Sequence, residues 1–184
     1  MKKTFVVGVT GASGVIYAKR LLDELCRGAT VHVIVTETAR DIARYEEVNL
    51  LDYDAIYHEE ESMGAEIASG SFRYDGMVII PCTMKTLAAI SNGFSDNLIT
   101  RAADVCLKER RPCILVPREM PLSRVHLKNM LAANEAGATI MVASPGFYHH
   151  PRTIDDLVDM VVARVLDHLS VSHHIENRWG GYDA

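Results

Sequence analysis

Two short loops carry glycines, hydroxyls and a lysine in positions that suit a bound phosphate. The first, "TGASG" at residues 10–14, joins a strand-like run to an apolar-periodic helical segment. Its glycines permit a tight turn, and free amides at the start of the following helix favour an anion. The second, "PCTMKT" at residues 81–86, brings two threonines and Lys85 to the start of another predicted helix. Both predict a phosphorylated ligand, although each loop is also consistent with a plain turn whose side chain caps the helix.

The spacing of the glycines narrows the choice of phosphate compound. Gly8, Gly11 and Gly14 are three residues apart, which is not the GxGxxG pattern of dinucleotide binders, and the lysine of a P-loop is missing. An NAD-binding fold also requires an acidic residue at the end of the second strand, and Glu37 keeps that alternative open. Thr36 at the tip of the same strand suits a phosphate or a polar ring atom as well.

Three cations in the second half of the chain could hold another anion. Arg101 and Lys108 are seven residues apart on a predicted helix, so they share a face of it. Arg118, followed by Glu119, comes directly after a predicted strand, at the edge of the sheet where ligands bind. Although an isolated arginine on a helix is usually just solvated, the three cations could converge on one rim.

The elements that must position these residues alternate along the chain. The predicted strands are Phe5–Val9, Val31–Val35, Met77–Ile80, Cys113–Val116 and Thr139–Val142. Their Val- and Ile-rich runs show little polar alternation, which is typical of strands buried on both faces of a parallel sheet. The predicted helices are Val15–Cys26, Asp96–Arg110, Leu122–Ala136 and Ile154–Leu169. This alternation predicts an α/β, Rossmann-like (flavodoxin-like) three-layer fold, with ligands at the carboxyl ends of the strands.

Composition limits the class of protein. The 184 residues fit one domain, 1–184, with a polar C-terminal tail from about residue 172. A net charge of −5 disfavours a nucleic-acid partner, and no apolar run is long enough to cross a membrane. The four cysteines form no CxxC pair and show no metal spacing, which favours reduced thiols in the cytoplasm.

Taken together, these segments resemble the UbiX-type flavin prenyltransferases, also known as phenolic-acid decarboxylase B subunits. The matching blocks are "TGASG", "IIPCTMKTLAAI", "RAADVCLKERRPCILVPREMPLSRVHLKNM" and "PGFYHHP", and the resemblance spans almost the whole chain. It implies a flavoprotein fold, a homododecamer and a reaction in which dimethylallyl monophosphate alkylates reduced FMN at N5 and C6. The product, prenylated FMN, would serve a UbiD-type decarboxylase.

The resemblance also implies roles for individual residues. The FMN-binding residues that it implies are Gly11, Ala12, Ser13, Thr36, Thr83, Met84, Lys85, Thr86 and Arg118. The prenyl phosphate site that it implies consists of Arg101, Lys108, Arg118, Tyr148 and Arg164, together with Trp179 of the C-terminal tail. The catalytic residues that it implies are Ser13, Glu46 and Glu119. Thr83 replaces the family's usual serine, and residues 49–64 match poorly.

The residues themselves suit a monophosphate that is bound without metal. Arginine offers a planar fork to phosphate oxygens and lysine a point charge, and such groups stabilise a phosphate as it leaves an allylic carbon. Many prenyltransferases instead bind a diphosphate through Mg²⁺ on a DDxxD run, and "DDLVD" at residues 155–159 matches that string. We interpret it as the start of the last helix, where carboxylates complement the helix dipole. The neighbouring His149 and His150 point to opposite sides of an extended chain and are poor joint ligands.

Three other functions remain as alternatives. A flavoprotein that decarboxylates a C-terminal cysteine or a pantothenate derivative would carry a "PASANT"-like loop, whereas residues 81–86 read "PCTMKT". A flavin carrier or chaperone without catalysis would not need Lys108, Tyr148 and Arg164 around a second phosphate. An NAD-dependent dehydrogenase is disfavoured by the glycine spacing.

Overall fold

A sheet of six parallel strands forms the centre of the computed structural model, which describes residues 2–175. The strands are β1 (Thr4–Val9), β2 (Thr30–Val35), β3 (Ile56–His58), β4 (Gly76–Cys82), β5 (Cys113–Pro117) and β6 (Thr139–Ile140). The helices are α1 (Val15–Leu25), α2 (Glu37–Tyr45), α3 (Met84–Ser91), α4 (Leu98–Lys108), α5 (Arg124–Glu135) and α6 (Ile154–His168), and a 3₁₀ turn covers Glu66–Ala68. The strand order β3-β2-β1-β4-β5-β6 confirms the predicted Rossmann-like sheet.

Alternate residues of each central strand face two separate hydrophobic cores. In β1, Phe5, Val7 and Val9 pack on one side of the sheet with residues of α1 and α6. Val6 points the other way, into the core that contains the buried face of α4. Because both faces are covered, all seven residues of β4 are buried, which explains the uninterrupted apolar runs in the sequence.

The strands predicted from the sequence are present, with shifts at their ends, whereas β3 and α2 were not predicted. Only three residues form β3, at the edge of the sheet, and Ile56 and Tyr57 are exposed. Along α2 only Ala39 and Ala43 are buried, with Ile42 partly buried beside them, so the helix has a narrow apolar stripe made mostly of small side chains. Both elements therefore depend more on contacts with neighbouring elements than on a strong apolar pattern in their own sequence.

The sheet topology places the ligand crevice between two loops. The chain leaves β1 towards β2 on one side and reaches β4 on the other, so the strand order reverses between β1 and β4. Ligands of open α/β sheets bind outside the carboxyl ends of the strands at such a point. Among the helices in residues 2–175, none combines the length and apolarity that a membrane crossing requires.

Candidate active site

A cleft of about 320 Å³ lies outside the carboxyl ends of β1, β2 and β4. The starts of three helices, α2, α3 and α4, contribute to its wall, and a helix N-terminus favours an anion. Lys85 is the one cationic side chain among the described lining residues. The lining consists of Thr10, Gly11, Thr36, Glu37, Thr38, Glu60, Thr83, Lys85, Thr86, Ala89, Asp96, Asn97 and Thr100.

Thr10 joins the first loop to the second. Its hydroxyl donates to the carbonyl of Pro81 at 2.9 Å and accepts from the amide of Thr83 at 2.8 Å. Its own amide also donates to Pro81 O, at 3.2 Å. Because Thr10 is buried, these hydrogen bonds fix the relative position of the two loops that border the cleft.

The threonines of the cleft act partly as helix caps. Thr83 Oγ1 accepts from the amide of Thr86 and donates to its hydroxyl, while Thr36 Oγ1 accepts from the amide of Ala39. The capping alternative is therefore correct for Thr83, and Thr36 caps α2 in the same way, so both residues lie in the cleft wall. Lys85 is exposed beside them, and Met84 packs against the core below.

The two glycines of the first loop have structural reasons to be there. A Cβ at Gly11 would lie 2.5 Å from Thr38 Cγ2, so no larger residue fits between this loop and α2. Gly14 has a φ of 97°, a left-handed conformation that side chains rarely adopt. Between them Ala12 is buried and Ser13 is exposed. The loop therefore presents a narrow edge to the cleft at Gly11.

Two amides at the start of α1, those of Gly14 and Val15, are already hydrogen-bonded, which differs from the free amides predicted for this loop. The carboxylate of Glu46 accepts from the Gly14 amide at 2.9 and 3.1 Å and from the Val15 amide at 3.1 Å. The helix dipole is thus satisfied by an anion of the chain itself. Glu46 and Ser13 nevertheless lie together, as the resemblance implied, on a second concavity of about 570 Å³ that shares Thr38 with the cleft.

Arg118 also reaches the first loop. Its Nε donates to the carbonyl of Ser13 at 3.1 Å, although the two residues are far apart in sequence. The neighbouring Glu119 is partly buried, and its carboxylate accepts from the amide of Met120 at 3.0 Å. The Arg118 guanidinium and the Glu46 carboxylate therefore both lie beside the first loop.

The three cations Arg101, Lys108 and Arg118 do not converge on one rim of a single chain, so that expectation is wrong. Lys108 ends α4, about 15 Å along the helix from the cleft, and pairs with Glu109 near the start of β5. Arg101 donates to the carbonyl of Ala68 and pairs with Asp104. Residues seven apart share a helix face, but only the start of this helix borders the cleft.

The other residues implied for the prenyl phosphate are also separated. Tyr148 lies in the loop beyond β6, half-exposed, with its ring edge against His149. Arg164 is about 15 Å along α6 from the start of that helix and pairs with Asp167 at 2.8 Å. Trp179 falls outside the described residues.

No role was predicted from the sequence for seven residues of the cleft wall: Thr10, Thr38, Ala89, Glu60, Asp96, Asn97 and Thr100. The last two form a capping box at the start of α4, and "DNLIT" carried that signal. Glu60 accepts from the amide of Glu37 at 3.1 Å, and it comes from the segment that matched the family poorly. Nothing in its local pattern indicated this position.

Comparisons with known proteins find relatives over nearly the whole chain. Residues 1–166 match the family model described as Flavoprotein. The flavin prenyltransferase UbiX of Methanothermobacter thermautotrophicus is 48% identical over 188 residues, covering 98% of this chain and 97% of that protein. The crystal structure of AnUbiX (PadA1) in complex with FMN and dimethylallyl pyrophosphate has a TM-score of 0.94 and 41% identity, covering 99% and 100% of the two chains. The dodecameric FMN-dependent UbiX-like decarboxylase of Escherichia coli O157:H7 has a TM-score of 0.92 and 44% identity, covering 97% and 100%.

Proposed function

This chain belongs to the UbiX-type flavin prenyltransferases within the flavoprotein family, and we propose that it transfers a dimethylallyl group from dimethylallyl monophosphate to N5 and C6 of reduced FMN. The product is prenylated FMN, which a UbiD-type decarboxylase then uses in the same compartment, the cytoplasm. The observation that carries the proposal is the polar cleft at the reversal point of the sheet, where three helix starts and Lys85 meet.

The residues of the cleft fit FMN. The phosphate would be held by Lys85 and by the helix starts that Thr36 and Thr83 cap, because these supply a positive charge and oriented dipoles. The bare edge of the first loop at Gly11, where a Cβ would collide with Thr38, would leave room for the flavin beside this loop. Reduced FMN, when bound, would supply the nucleophilic N5 and C6.

Around the flavin, the chain's own residues manage charge and protons. Arg118, fixed against Ser13, stabilises the negative charge that develops on the departing phosphate. Closure of the new ring would join C6 to the prenyl double bond, so a proton would be added to the neighbouring alkene carbon and another removed from C6. Glu119, next to Arg118 in the sequence, would be one group to carry these protons, and the departed phosphate would be the other.

We propose that the prenyl phosphate site is completed by a second copy of the chain in a homododecamer. In one chain, Lys108 and Arg164 lie far along their helices from Arg118 and Tyr148, so a single copy cannot gather the implied set. A dodecameric relative supports such an assembly. The site is thus divided between the flavin loops of one copy and the cations of another.

One anaerobic incubation tests the reaction. The protein is mixed with reduced FMN and either dimethylallyl monophosphate or the diphosphate, and the extracted flavin is analysed by mass spectrometry. We expect a prenylated flavin, formed faster from the monophosphate. FMN that is bound but returned unchanged with both donors would indicate a flavin carrier instead.

Mixed oligomers test the division of the site. Arg118→Ala and Arg164→Ala subunits are each expected to be impaired in prenyl transfer, with Arg164→Ala keeping nearly normal FMN binding. When the two variants are co-assembled in equal amounts, about a quarter of the sites regain both arginines if these come from different copies. Tyr148→Phe should have a smaller effect than Arg164→Ala, because only a neutral donor is lost. No recovery of activity on co-assembly would place both arginines in the same chain's site.

A further inference from the structure

Two histidines and a glutamate meet at the edge of the sheet, away from the cleft. His32 comes from β2, His58 ends β3, and Glu66 begins the 3₁₀ turn. One potential ligand atom from each lies within 4.8 Å of the other two. Nothing in the proposed reaction uses these residues, and His32 precedes the cleft residue Thr36 by four positions of extended chain, about 13 Å.

The spacing of the three atoms suits a small divalent ion. His32 Nδ1 is 2.9 Å from His58 Nε2 and 3.7 Å from Glu66 Oε1. Two ligands about 2.0–2.1 Å from a tetrahedral zinc ion are about 3.3 Å apart, a value between these two distances. The cluster therefore needs only small movements to surround an ion.

The two imidazoles now share a hydrogen bond, so one of them must turn to bind metal. The ring planes are within 8° of each other, and the two nitrogens face one another. For both nitrogens to act as ligands, the shared proton moves to the other nitrogen of its ring, and no proton is lost overall. His58 lies on a three-residue edge strand and is only partly buried, which leaves its ring room to rotate.

The surroundings hold one ligand in place and leave a carboxylate accessible beside it. His32 is 2% exposed and lies within β2, so its imidazole is enclosed by the fold. The edge of its ring rests on Phe72, so its orientation is fixed from the core side. Glu66 is 47% exposed, and an ion can therefore enter from solvent along this side chain.

We propose that His32, His58 and Glu66 form a binding site for a divalent transition-metal ion of the zinc class, with a water molecule in the fourth position. Two imidazoles and one carboxylate suit Zn²⁺, Co²⁺ or Ni²⁺ rather than Mg²⁺ or Ca²⁺, which prefer oxygen ligands alone. The ion links β2, the short edge strand β3 and the turn at Glu66. It stabilises the weakly patterned segment between α2 and β4 and takes no part in prenyl transfer.

Metal titration of the untagged, full-length protein tests this site. After EDTA treatment and its removal, Zn²⁺ is titrated in competition with a chromogenic chelator, and Co²⁺ binding is followed by visible absorption. We expect one high-affinity ion per chain, intense tetrahedral Co²⁺ bands, and no competition from Mg²⁺. At hundredfold excess over Kd, Zn²⁺ should raise the unfolding temperature by about 5 °C or more.

Two partly exposed ligands serve for the variants, because replacement of the buried His32 could impair folding. His58→Ala and Glu66→Gln are each expected to weaken Zn²⁺ binding by at least about tenfold and to abolish the Co²⁺ bands. His174→Ala is the matched control, since it removes an exposed histidine outside the cluster and should change neither. Absence of stoichiometric binding in the parent protein, or equal affinity in the parent and the His58→Ala protein, would overturn the proposal.

Discussion

Replacement of Thr10 by valine tests whether one buried hydroxyl holds the two loops of the cleft together. Valine keeps the shape of the side chain but removes the group that donates to Pro81 O and accepts from Thr83 N. The Pro81 carbonyl retains the amide of residue 10 as a donor, so the Thr83 amide is the group that loses its partner.

The expected loss follows from these contacts. An amide left without its partner costs about 1–3 kcal/mol, and because the Thr83 amide is only part-buried, the free energy of unfolding should fall by about 1–2 kcal/mol. For a chain of this size the unfolding temperature should drop by about 2–8 °C. If the two loops relax in the flavin-free variant, part of the FMN binding energy is used to restore their arrangement. The affinity of the variant for FMN then falls by up to about thirtyfold.

Thermal unfolding and FMN fluorescence titration on the same flavin-free samples measure both effects. Thr139→Val in β6 makes the same chemical change outside the cleft and should leave both values nearly unchanged. If Thr10→Val unfolded within about 1 °C of the parent and bound FMN equally well, the hydroxyl would not be what positions the loops.

Three further outcomes are expected. Hydrogen bonds from the Arg152 and Thr153 amides lower the pKa of Asp156, so this carboxylate stabilises the fold above its unfolded pKa of about 3.8, and the contribution is lost as the pH falls. Asp156→Asn should therefore lower the unfolding temperature at pH 7 and flatten its decline below pH 4, and an unchanged pH profile would contradict this. Burial raises the pKa of Cys82 to about 12, so iodoacetamide at pH 8 should modify this thiol only after unfolding, as mass spectrometry of peptides can determine. Initial rates of prenyl transfer should be the same with and without EDTA, because Asp156 belongs to the capping box of α6 and Asp159 pairs with Arg20. If EDTA abolished the rate and Mg²⁺ restored it, these carboxylates would have been misinterpreted.

Sequence patterns were sufficient for the parts of the fold that depend on burial. The strands around Val6 and Val78 are apolar because both faces of the sheet are covered. The resulting run of apolar residues is only a few residues long, so it can be recognised in the local sequence. The edge strand β3 escaped detection because its side chains are largely exposed and its order depends on pairing with β2. The local sequence pattern does not predict a strand that is stabilised mainly by pairing with its neighbour.

Candidate site residues at strand ends were predictable in position, whereas those on helices and in irregular segments were not. Thr36 and Thr83 were expected at strand ends and lie there, because the end of a parallel strand has a fixed place in the fold. The helical spacing predicted which face of α4 carries Lys108. It did not indicate that Lys108 lies at the end of α4 away from the cleft, so the separation of Lys108 from Arg118 could not be predicted. Glu60 reaches the cleft from an irregular segment whose path depends on tertiary contacts.

The carboxylate of Glu46 at the start of α1 bears on which nucleotides this fold accepts. A dinucleotide bound in the usual way for this strand order places its pyrophosphate on the helix that follows β1. Here a side chain from the end of α2 already occupies that place, with three short contacts to the Gly14 and Val15 amides. A pyrophosphate there would meet the charge of Glu46 and find these two amides already bound. We therefore expect dinucleotides to bind weakly at this helix, which leaves the neighbouring cleft, with Lys85, to a ligand that carries a single phosphate.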